Sequence, residues 1–166
     1  MSEAAPGGVR TGIGYDCHQF GEGRRLVLGG VELDYARGLH GHSDADVITH
    51  AIIDALLGAA GLVDIGHHFP DTDERYRDAD SLELLRATVA MLADRGLAVA
   101  NVDATVVIEE PPIAPHRSDM RAKLAAALGV SSQQVNVKAT RGEGMGFVGR
   151  GEGAAALAVA TVIAAG

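Results

Sequence analysis

The residues best suited to chemistry are a carboxylate and an imidazole, Asp16 and His18, in a segment predicted to be a β-strand. Because the side chains of a strand alternate between its faces, these two should share one face, while Tyr15 and Cys17 point to the other. A second histidine, His50, falls in a predicted helix. One carboxylate and two imidazoles can hold zinc and leave a fourth position open. We call Asp16, His18 and His50 the metal triad; an ordinary strand aspartate with two hydrogen-bonded histidines is the alternative.

The strand that carries Asp16 and His18 is predicted to span residues 9–18 and to end at these candidate ligands. Residues 24–33 predict two short strands around Gly29 and Gly30, which is a hairpin signal. Residues 35–42 predict a loop that is rich in glycine and histidine.

The helix that carries His50 is predicted to begin at Ser43, with Asp46 three residues later in the form of a capping box. Its apolar stripe has helical spacing and consists of Val47, Ile48, Ala51, Ile52, Ala55 and Leu56. Asp46, His50 and Asp54 follow one another at intervals of four residues and share a neighbouring face. We expect that face to look into a site rather than into the core.

The rest of the chain alternates helices and strands. Residues 61–80 predict a polar loop that is long for a compact domain and therefore functional or mobile. Asp80 and Glu83 cap a second helix that stops at Gly96. The remaining predicted elements are a strand at residues 97–108, a helix at residues 116–128, a strand at residues 134–140, a glycine-rich turn at residues 141–153 and a last, alanine-rich helix at residues 152–164.

These elements predict a single α+β domain over residues 9–166, preceded by a flexible N-terminal extension at residues 1–8. The expected architecture is a two-layer sandwich, with a mixed four-stranded sheet and helices on one of its faces. The second face of the sheet must also be covered. Homo-oligomerisation is the economical way to cover it.

The composition excludes several classes of protein. The chain has 166 residues and a formal charge of −8, so we expect no nucleic-acid partner. It has no apolar run of about 18 residues, so we predict no membrane span, and residues 1–8 do not resemble a secretory signal. One cysteine, Cys17, permits no internal disulfide and fits a cytoplasmic location. Cys17 is interpreted as a small buried apolar residue rather than a nucleophile.

Other polar residues lie in predicted loops. His40, His42, His67 and His68 are most simply solvated side chains, but His42 precedes a helix N-terminus, whose free N–H groups favour an anion. Residues 69–73 favour either a turn with Asx hydrogen bonds or a lid that contacts substrate hydroxyls.

The glycine-rich residues 144–149 match the pattern G-x-G-x-x-G without the following strand and acidic residue of a dinucleotide fold, and the chain has no P-loop motif. The glycines still let the backbone approach a phosphate closely. Arg150, among these glycines, is interpreted from sequence alone as a surface arginine.

Six motifs follow one another along the chain: GYDCH at residues 14–18, HSDADV at 42–47, DALLGAA at 54–60, DIGHHFPDTD at 64–73, NVKAT at 136–140 and GFVGRGEGAA at 146–155. Each motif alone is weak, but the ordered set is highly specific. From about Val9 to the C-terminus the chain resembles the 2-C-methyl-D-erythritol 2,4-cyclodiphosphate synthases of the non-mevalonate isoprenoid pathway. The resemblance implies a homotrimer whose sheets face inward and whose active sites lie between adjacent subunits.

The resemblance also implies the ligands. The metal triad would hold one zinc ion, and a second divalent ion, magnesium or manganese, would sit on the substrate diphosphate near Glu143. The substrate would be a cytidine diphosphate ester of methylerythritol 2-phosphate. His42 and Ser43 would contact its phosphates, and His42 would also serve catalysis by positioning.

The other contacts implied by the resemblance form three groups. The methylerythritol would be held by Asp64, Ile65, Gly66, Phe69, Pro70, Asp71, Thr72 and Asp73. The cytidine end would be held by Ile108, Glu109, Glu110, Pro111, Pro112, Ile113, Ala114 and Thr140. An isoprenoid diphosphate on the trimer axis would meet Tyr15, Phe147 and Arg150.

The chain departs from the family pattern at two places. Pro112 stands where the family usually has a lysine, which removes a cation. Arg141 and Gly142 stand where the family usually has threonines, of which the first helps to orient the diphosphate. Arg141 either supplies a stronger phosphate donor, which would give it a catalytic positioning role, or points to solvent.

The implied reaction is an intramolecular phosphoryl transfer that releases CMP and closes a cyclic diphosphate, and the protein contributes mostly positioning and charge stabilisation. One alternative is a zinc hydrolase with water in the open metal position, which would give a linear phosphate product. Another alternative, outside the enzymes, is a trimeric protein that binds isoprenoid diphosphates through Tyr15, Phe147 and Arg150.

Overall fold

A computed structural model describes residues 8–166 of the chain. Its centre is a mixed five-stranded sheet with the order β4-β1-β7-β5-β6, in which only β5 and β6 run parallel. The strands of this sheet are β1 (Arg10–Gly21), β4 (Gly38–Leu39), β5 (Leu97–Val107), β6 (Val135–Thr140) and β7 (Gly153–Ala164). A separate hairpin joins β2 (Leu26–Leu28) to β3 (Val31–Leu33), as the glycine pair between them predicted.

The alanine-rich C-terminal segment forms a central strand, so the prediction of a last helix at residues 152–164 is wrong. Strand β7 pairs antiparallel with β1 on one side and with β5 on the other. Ala154, Ala156, Ala158 and Ala160 are buried beneath a helix, whereas Leu157, Val159 and Ile163 are exposed on the opposite face. This alternation overrides the high helix propensity of alanine. The sheet therefore has five strands and not the predicted four.

The helices form the second layer, on one face of the sheet. Helix α1 (Val47–Ala60) packs on β1 and β7, α3 (Ser81–Asp94) packs on α1 and β5, and α4 (Arg117–Leu128) packs on β6 and α3. Single helical turns form α2 (Ile65–His68) and α5 (Gly146–Gly149). The predicted boundaries of α3, α4, β5 and β6 are confirmed within a residue or two. Among the described helices, none has the length and apolar content needed to cross a membrane.

Helix α1 begins later than predicted. Its N-cap is Asp46, whose side chain accepts a hydrogen bond from Thr49 N, so neither the start at Ser43 nor the proposed capping box is correct. The predicted loop at residues 61–80 contains α2 and a short 3-10 turn, Glu74–Tyr76. The predicted extension at residues 1–8 lies outside the described residues, apart from Gly8.

Two glycines of β1 let α1 approach the sheet. A Cβ atom added at Gly14 would overlap the carbonyl oxygen of Ala51, and one added at Gly12 would overlap that of Ala55. The helix backbone therefore rests directly on the backbone of β1. At Gly58, on the same helix, an added Cβ would meet only ordinary contacts at 3.9 Å and beyond.

We expect Gly14→Ala to destabilise the fold by roughly 1–3 kcal/mol or more, because the helix must shift away from the sheet. Gly58→Ala is the matched control and should raise stability by about 0.5–1 kcal/mol, since it replaces a helical glycine where there is space. Urea unfolding of the three proteins at equal concentration measures both effects. Equal midpoints for the Gly14 and Gly58 variants would contradict the tight contact.

The sheet face opposite the helices, which we call the helix-free face, is exposed in the single chain. Its β1 and β7 half is apolar and carries Ile13, Tyr15, Leu157, Val159 and Ile163. Its β5 and β6 half is polar, with Lys138 Nζ 2.6 Å from Asp103 Oδ2. Cys17 lies on the apolar half and is exposed in the single chain, so its interpretation as a buried residue is wrong. Strand alternation places it beside Tyr15 rather than under α1.

Candidate active site

The metal triad comes together where β1 meets α1. Asp16 Oδ2 lies 3.0 Å from His18 Nε2 and 3.0 Å from His50 Nδ1, and the two nitrogens are 3.4 Å apart. All three donor atoms lie within 4.8 Å of one another. The prediction that Asp16 and His18 share a strand face and meet His50 is confirmed. One oxygen and two nitrogens in such a cluster fit a divalent metal ion.

Burial and charge act against each other in this cluster. Burial disfavours the ionised form of Asp16, but hydrogen bonds with His18 and His50 outweigh it and lower the pKa of Asp16 to about 2. Burial would lower the pKa of His50, but the neighbouring Asp16 carboxylate raises it above its ordinary value. Asp16 is therefore an anion at neutral pH, which is the form that binds a cation.

The other ring nitrogen of His50, Nε2, contacts two serine hydroxyls on the side of the ring away from the metal triad. His50 Nε2 lies 3.0 Å from Ser43 Oγ and 2.9 Å from Ser81 Oγ. Ser81 is fully buried at the start of α3, and its hydroxyl and amide both donate to the Asp44 carboxylate. No site role was predicted for Ser81 or Asp44, because the hydrogen bonds that join them to His50 depend on how α3 packs on α1.

The two aspartates predicted to share the face of His50 do not enter the site. Asp46 is fully buried and accepts hydrogen bonds from Gly29 N at 2.9 Å, Gly30 N at 2.8 Å and Thr49 N at 3.1 Å. These hydrogen bonds connect the β2–β3 hairpin to the start of α1, so Asp46 has a structural role. Asp54 accepts from Ile65 N at 2.8 Å and so positions α2.

The metal triad opens into a cleft of about 370 Å³, which we call the triad cleft. The predicted residues that line it with the triad are His42, Ser43, Ile65, Gly66, Phe69 and Asp71. Tyr76 and Leu84 also line it and were missed, since nothing in their local sequence marks them. His42 Nε2 donates to the carbonyl of Asp73 at 2.9 Å, which ties the start of the cleft to the loop at residues 69–73.

Several predicted residues of this region play local structural parts. Asp64 caps α2 by accepting from His67 N at 2.9 Å. Asp73 pairs with Arg75 at 2.6 Å, and this pairing lowers the pKa of Asp73. Pro70 and Thr72 belong to the same loop but do not line the triad cleft.

A second cleft, of about 330 Å³, lies at the carboxyl ends of β5 and β6, and we call it the strand-end cleft. The predicted residues that line it are Ile108, Glu109, Pro111, Pro112, Ile113, Ala114, Thr140 and Arg141. Arg117 and Ala139 line it as well and were not predicted. Of the residues that the structure describes, none lines both clefts.

The wall of the strand-end cleft contains charged groups close together. Arg141 Nη2 pairs with Glu110 Oε1 at 2.9 Å and donates to the carbonyl of Glu109 at 3.2 Å. Glu109 Oε1 is buried and has no hydrogen-bond partner within the described chain. Gly142 packs against Gly149 and the Glu109 carboxylate so closely that a Cβ there would overlap Gly149 N. The packing seen in this chain therefore requires glycine at position 142.

The remaining predicted residues line neither cleft. Glu143 is exposed in the turn before α5, at a φ of 55°. Phe147 and Tyr15 are 37% and 53% exposed, respectively. Arg150 pairs with Glu152 at 2.7 Å. Within one chain, these four side chains therefore lie apart from the metal triad.

Comparison with known proteins gives a consistent result. A family model described as the YgbB family matches residues 9–163. The chain is 55% identical over 157 residues, 95% of its length and 100% of the relative, to a 2-C-methyl-D-erythritol 2,4-cyclodiphosphate synthase of Alkaliphilus oremlandii. It is 61% identical over 157 residues to a bifunctional enzyme IspD/IspF of Anaeromyxobacter dehalogenans, covering 95% of this chain but only 40% of that relative.

A solved structure has the same fold. It is described as IspF from Plasmodium falciparum in a complex with CDP, and it matches with a TM-score of 0.85 at 30% identity. The match covers 98% of this chain and 100% of that chain. The architecture described above is thus found in a protein that binds a cytidine nucleotide.

Proposed function

Because the chain belongs to the YgbB family, we propose that it converts 4-diphosphocytidyl-2-C-methyl-D-erythritol 2-phosphate to 2-C-methyl-D-erythritol 2,4-cyclodiphosphate and releases CMP. An oxygen of the 2-phosphate attacks the β-phosphorus of the diphosphate. The bond between this phosphorus and the CMP oxygen breaks, and CMP leaves with its electron pair. The observation that carries the proposal is the metal triad in the wall of the triad cleft.

The metal triad would hold zinc, because its donor set of one carboxylate and two imidazoles leaves one coordination position of the ion open. Zinc in that place would supply Lewis acidity to a phosphate oxygen and would offset the repulsion between two anionic phosphates. The protein then acts mainly by positioning. Such enzymes, which use a metal to form a cyclic diphosphate, are phosphorus–oxygen lyases.

Two side chains of the triad cleft are suited to hold the phosphates. Ser43 Oγ accepts the Ala45 amide at 3.3 Å, and its own hydroxyl hydrogen can be donated to a phosphate oxygen in the cleft. His42 uses Nε2 to hold the Asp73 carbonyl, so Nδ1 is the atom available to a ligand. Ile65, Gly66 and Phe69 give the same cleft an apolar side, which suits the methyl-bearing carbon chain.

The strand-end cleft is the proposed site of the cytidine end. Its apolar wall includes Pro111, Pro112 and Ile113, and its lining also includes Arg141, which pairs with Glu110. Arg141 would replace the cation that Pro112 removes, and it would donate to the diphosphate after exchanging its partner Glu110. The triad cleft and the strand-end cleft share no described residue, so we propose that the two halves of one substrate site come from adjacent subunits.

The proposed assembly is a homotrimer in which the helix-free faces point inward. The apolar β1 and β7 half of that face exposes five large apolar side chains side by side, which a partner subunit would cover, and the β5 and β6 half carries the ion pair of Lys138 and Asp103. Tyr15, Phe147 and Arg150 would line the axis, where an isoprenoid diphosphate could bind.

The single domain at residues 9–166 and the cytoplasmic location stay predictions.

Glu143 is the proposed protein contact of the second metal ion, magnesium or manganese, which binds the substrate diphosphate. A hard cation of this kind keeps several waters and needs only one carboxylate besides phosphate oxygens. We expect Glu143→Gln to raise the half-saturating Mg²⁺ concentration about tenfold, the equivalent of about 1.4 kcal/mol, and to lower turnover. Bound zinc should stay at the level of the unsubstituted protein.

The matched control for this change is Glu83→Gln, which neutralises an exposed glutamate of α3 that pairs with Arg86. Titration of Mg²⁺ against activity should leave that control unchanged. If Glu143→Gln keeps the same half-saturation and rate as the control, Glu143 does not serve the second metal.

Phosphorus NMR of the product tests the proposed function itself. A cyclic diphosphate together with CMP is the expected result. A linear phosphate with CMP would indicate a zinc hydrolase. Binding of an isoprenoid diphosphate without any turnover would indicate the trimeric binding protein.

A further inference from the structure

A chain of buried and half-buried hydrogen bonds lies behind His50, and the proposed reaction gives it no role. His50 Nε2 is 2.9 Å from Ser81 Oγ, whose hydroxyl donates to Asp44 Oδ1. The second carboxylate oxygen of Asp44 accepts the Ser81 amide at 3.0 Å. Asp44 N in turn donates to the Ala79 carbonyl at 3.1 Å, just before α3. The pair Asp44 and Ser81 thus joins the start of α1 to the start of α3.

The direction of these hydrogen bonds follows from what each group can donate. An ionised carboxylate only accepts, so the single hydroxyl hydrogen of Ser81 goes to Asp44. The oxygen of Ser81 can then only accept from His50, which requires a proton on Nε2. In a neutral imidazole the lone pair is consequently on Nδ1. That nitrogen is the one that lies 3.0 Å from Asp16 Oδ2 and 3.4 Å from His18 Nε2 in the metal triad.

A competing interaction acts on the other side of the ring. Asp16 Oδ2 is 3.0 Å from His50 Nδ1, and in the absence of a metal ion it favours a proton on Nδ1. A proton there would occupy the lone pair that a metal needs. Ser43 Oγ lies 3.0 Å from Nε2, but a hydroxyl can donate or accept a hydrogen bond. Ser43 therefore does not determine which ring nitrogen of His50 carries the proton.

We propose that Asp44 and Ser81 are positioning residues that keep the Nδ1 lone pair of His50 free and thereby set the affinity of the metal triad for zinc. The inference rests on the zinc site of the proposed function, but its test needs no substrate. Outer partners of a metal-bound histidine typically contribute 10–100-fold in metal affinity.

The sharpest test is Asp44→Asn, which keeps the size of the side chain. Its amide can donate to Ser81 Oγ, so the serine hydroxyl is free to turn and donate to His50 Nε2. The expected result is zinc affinity about 10–100-fold weaker, measured by competition with a chromophoric chelator on the purified protein. Ser81→Ala, which removes the acceptor altogether, should weaken zinc in the same direction.

The matched control is Thr88→Ala, since Thr88 is also fully buried on α3 but donates its hydroxyl to the Leu84 carbonyl of its own helix. It reports the effect of losing a buried hydroxyl from this helix without touching His50. We expect its zinc affinity to equal that of the unsubstituted protein. Equal losses in Ser81→Ala and Thr88→Ala would overturn the inference.

A second readout is the position of the ring proton. In the zinc-free protein, at a pH where His50 is neutral, ¹⁵N NMR of the ring should show a smaller Nε2–H fraction in Asp44→Asn than in the unsubstituted protein. An unchanged fraction together with unchanged zinc affinity would refute the positioning role. A protein that binds zinc in this manner but makes no cyclic product would refute the proposed function alone.

Discussion

Replacement of His50 by alanine is expected to remove bound zinc and to lower the rate of ring formation by about 10³-fold, which corresponds to about 4 kcal/mol of lost charge stabilisation. His50 supplies one of the three donor atoms of the metal triad. Without it, Asp16 and His18 offer only two donors, which is too few for a site that holds zinc firmly. The measurement is zinc content by elemental analysis, together with the initial rate of CMP release.

His50 is buried, so its loss can also disturb the core. His18→Ala is therefore the second variant, because the His18 side chain is 22% exposed and its removal leaves a smaller defect. His40→Ala, which removes an exposed histidine outside the triad cleft, is the matched control and should keep both zinc and activity. Full zinc content in folded His50→Ala protein would show that His50 is not a zinc ligand.

Introduction of a charge on the helix-free face should have the second largest effect. Leu157 lies on β7 directly across from Tyr15 on β1, and its side chain is 42% exposed in the single chain. In the proposed trimer, Leu157→Asp would bury an unpaired carboxylate at each copy of the interface, at a cost of several kcal/mol per charge. We expect a folded monomer without activity, because each site would lack the cleft of its neighbour.

The matched control is Ala122→Asp, which places the same charge on the exposed side of α4, in the helix layer. Sedimentation velocity at micromolar concentration should give a trimer for the control and for the unsubstituted protein. Circular dichroism establishes that the Leu157 variant is folded. A stable and active monomer of the unsubstituted protein would contradict the proposed assembly.

The sequence predicted the metal triad because its signal is local. Asp16 and His18 are two positions apart in a strand, so period-2 alternation alone places them on one face. His50 required a contact between β1 and α1, and the apolar stripe beside it on the same helix predicted that α1 packs on the sheet. The hydrogen bonds that connect His50 with Ser81 and Asp44 depend on how α3 packs on α1. No repeating pattern within either segment predicts that packing.

The sequence failed where local preference and tertiary packing disagree. In β7, runs of alanine favour a helix, but the strand packs mainly small side chains beneath α1, with the buried Val162 as the exception, and exposes Leu157, Val159 and Ile163 on the helix-free face. Asp46 was predicted to face a site because it precedes His50 by one helical turn. Its carboxylate instead satisfies the amides of Gly29 and Gly30, which are distant in sequence and have no side chains to signal the contact.

The contact of Gly14 with the carbonyl of Ala51 has a consequence for how the protein tolerates change. Gly14 is two residues from Asp16, and Ala51 directly follows His50. The distance between the two ligand-bearing elements is therefore set by main-chain atoms, which have no alternative rotamers. Core side chains elsewhere can change in volume and repack without altering that distance. We therefore expect sequence drift in the core to leave the spacing of the metal donors almost unchanged, whereas a single methyl group at Gly14 would alter it at once.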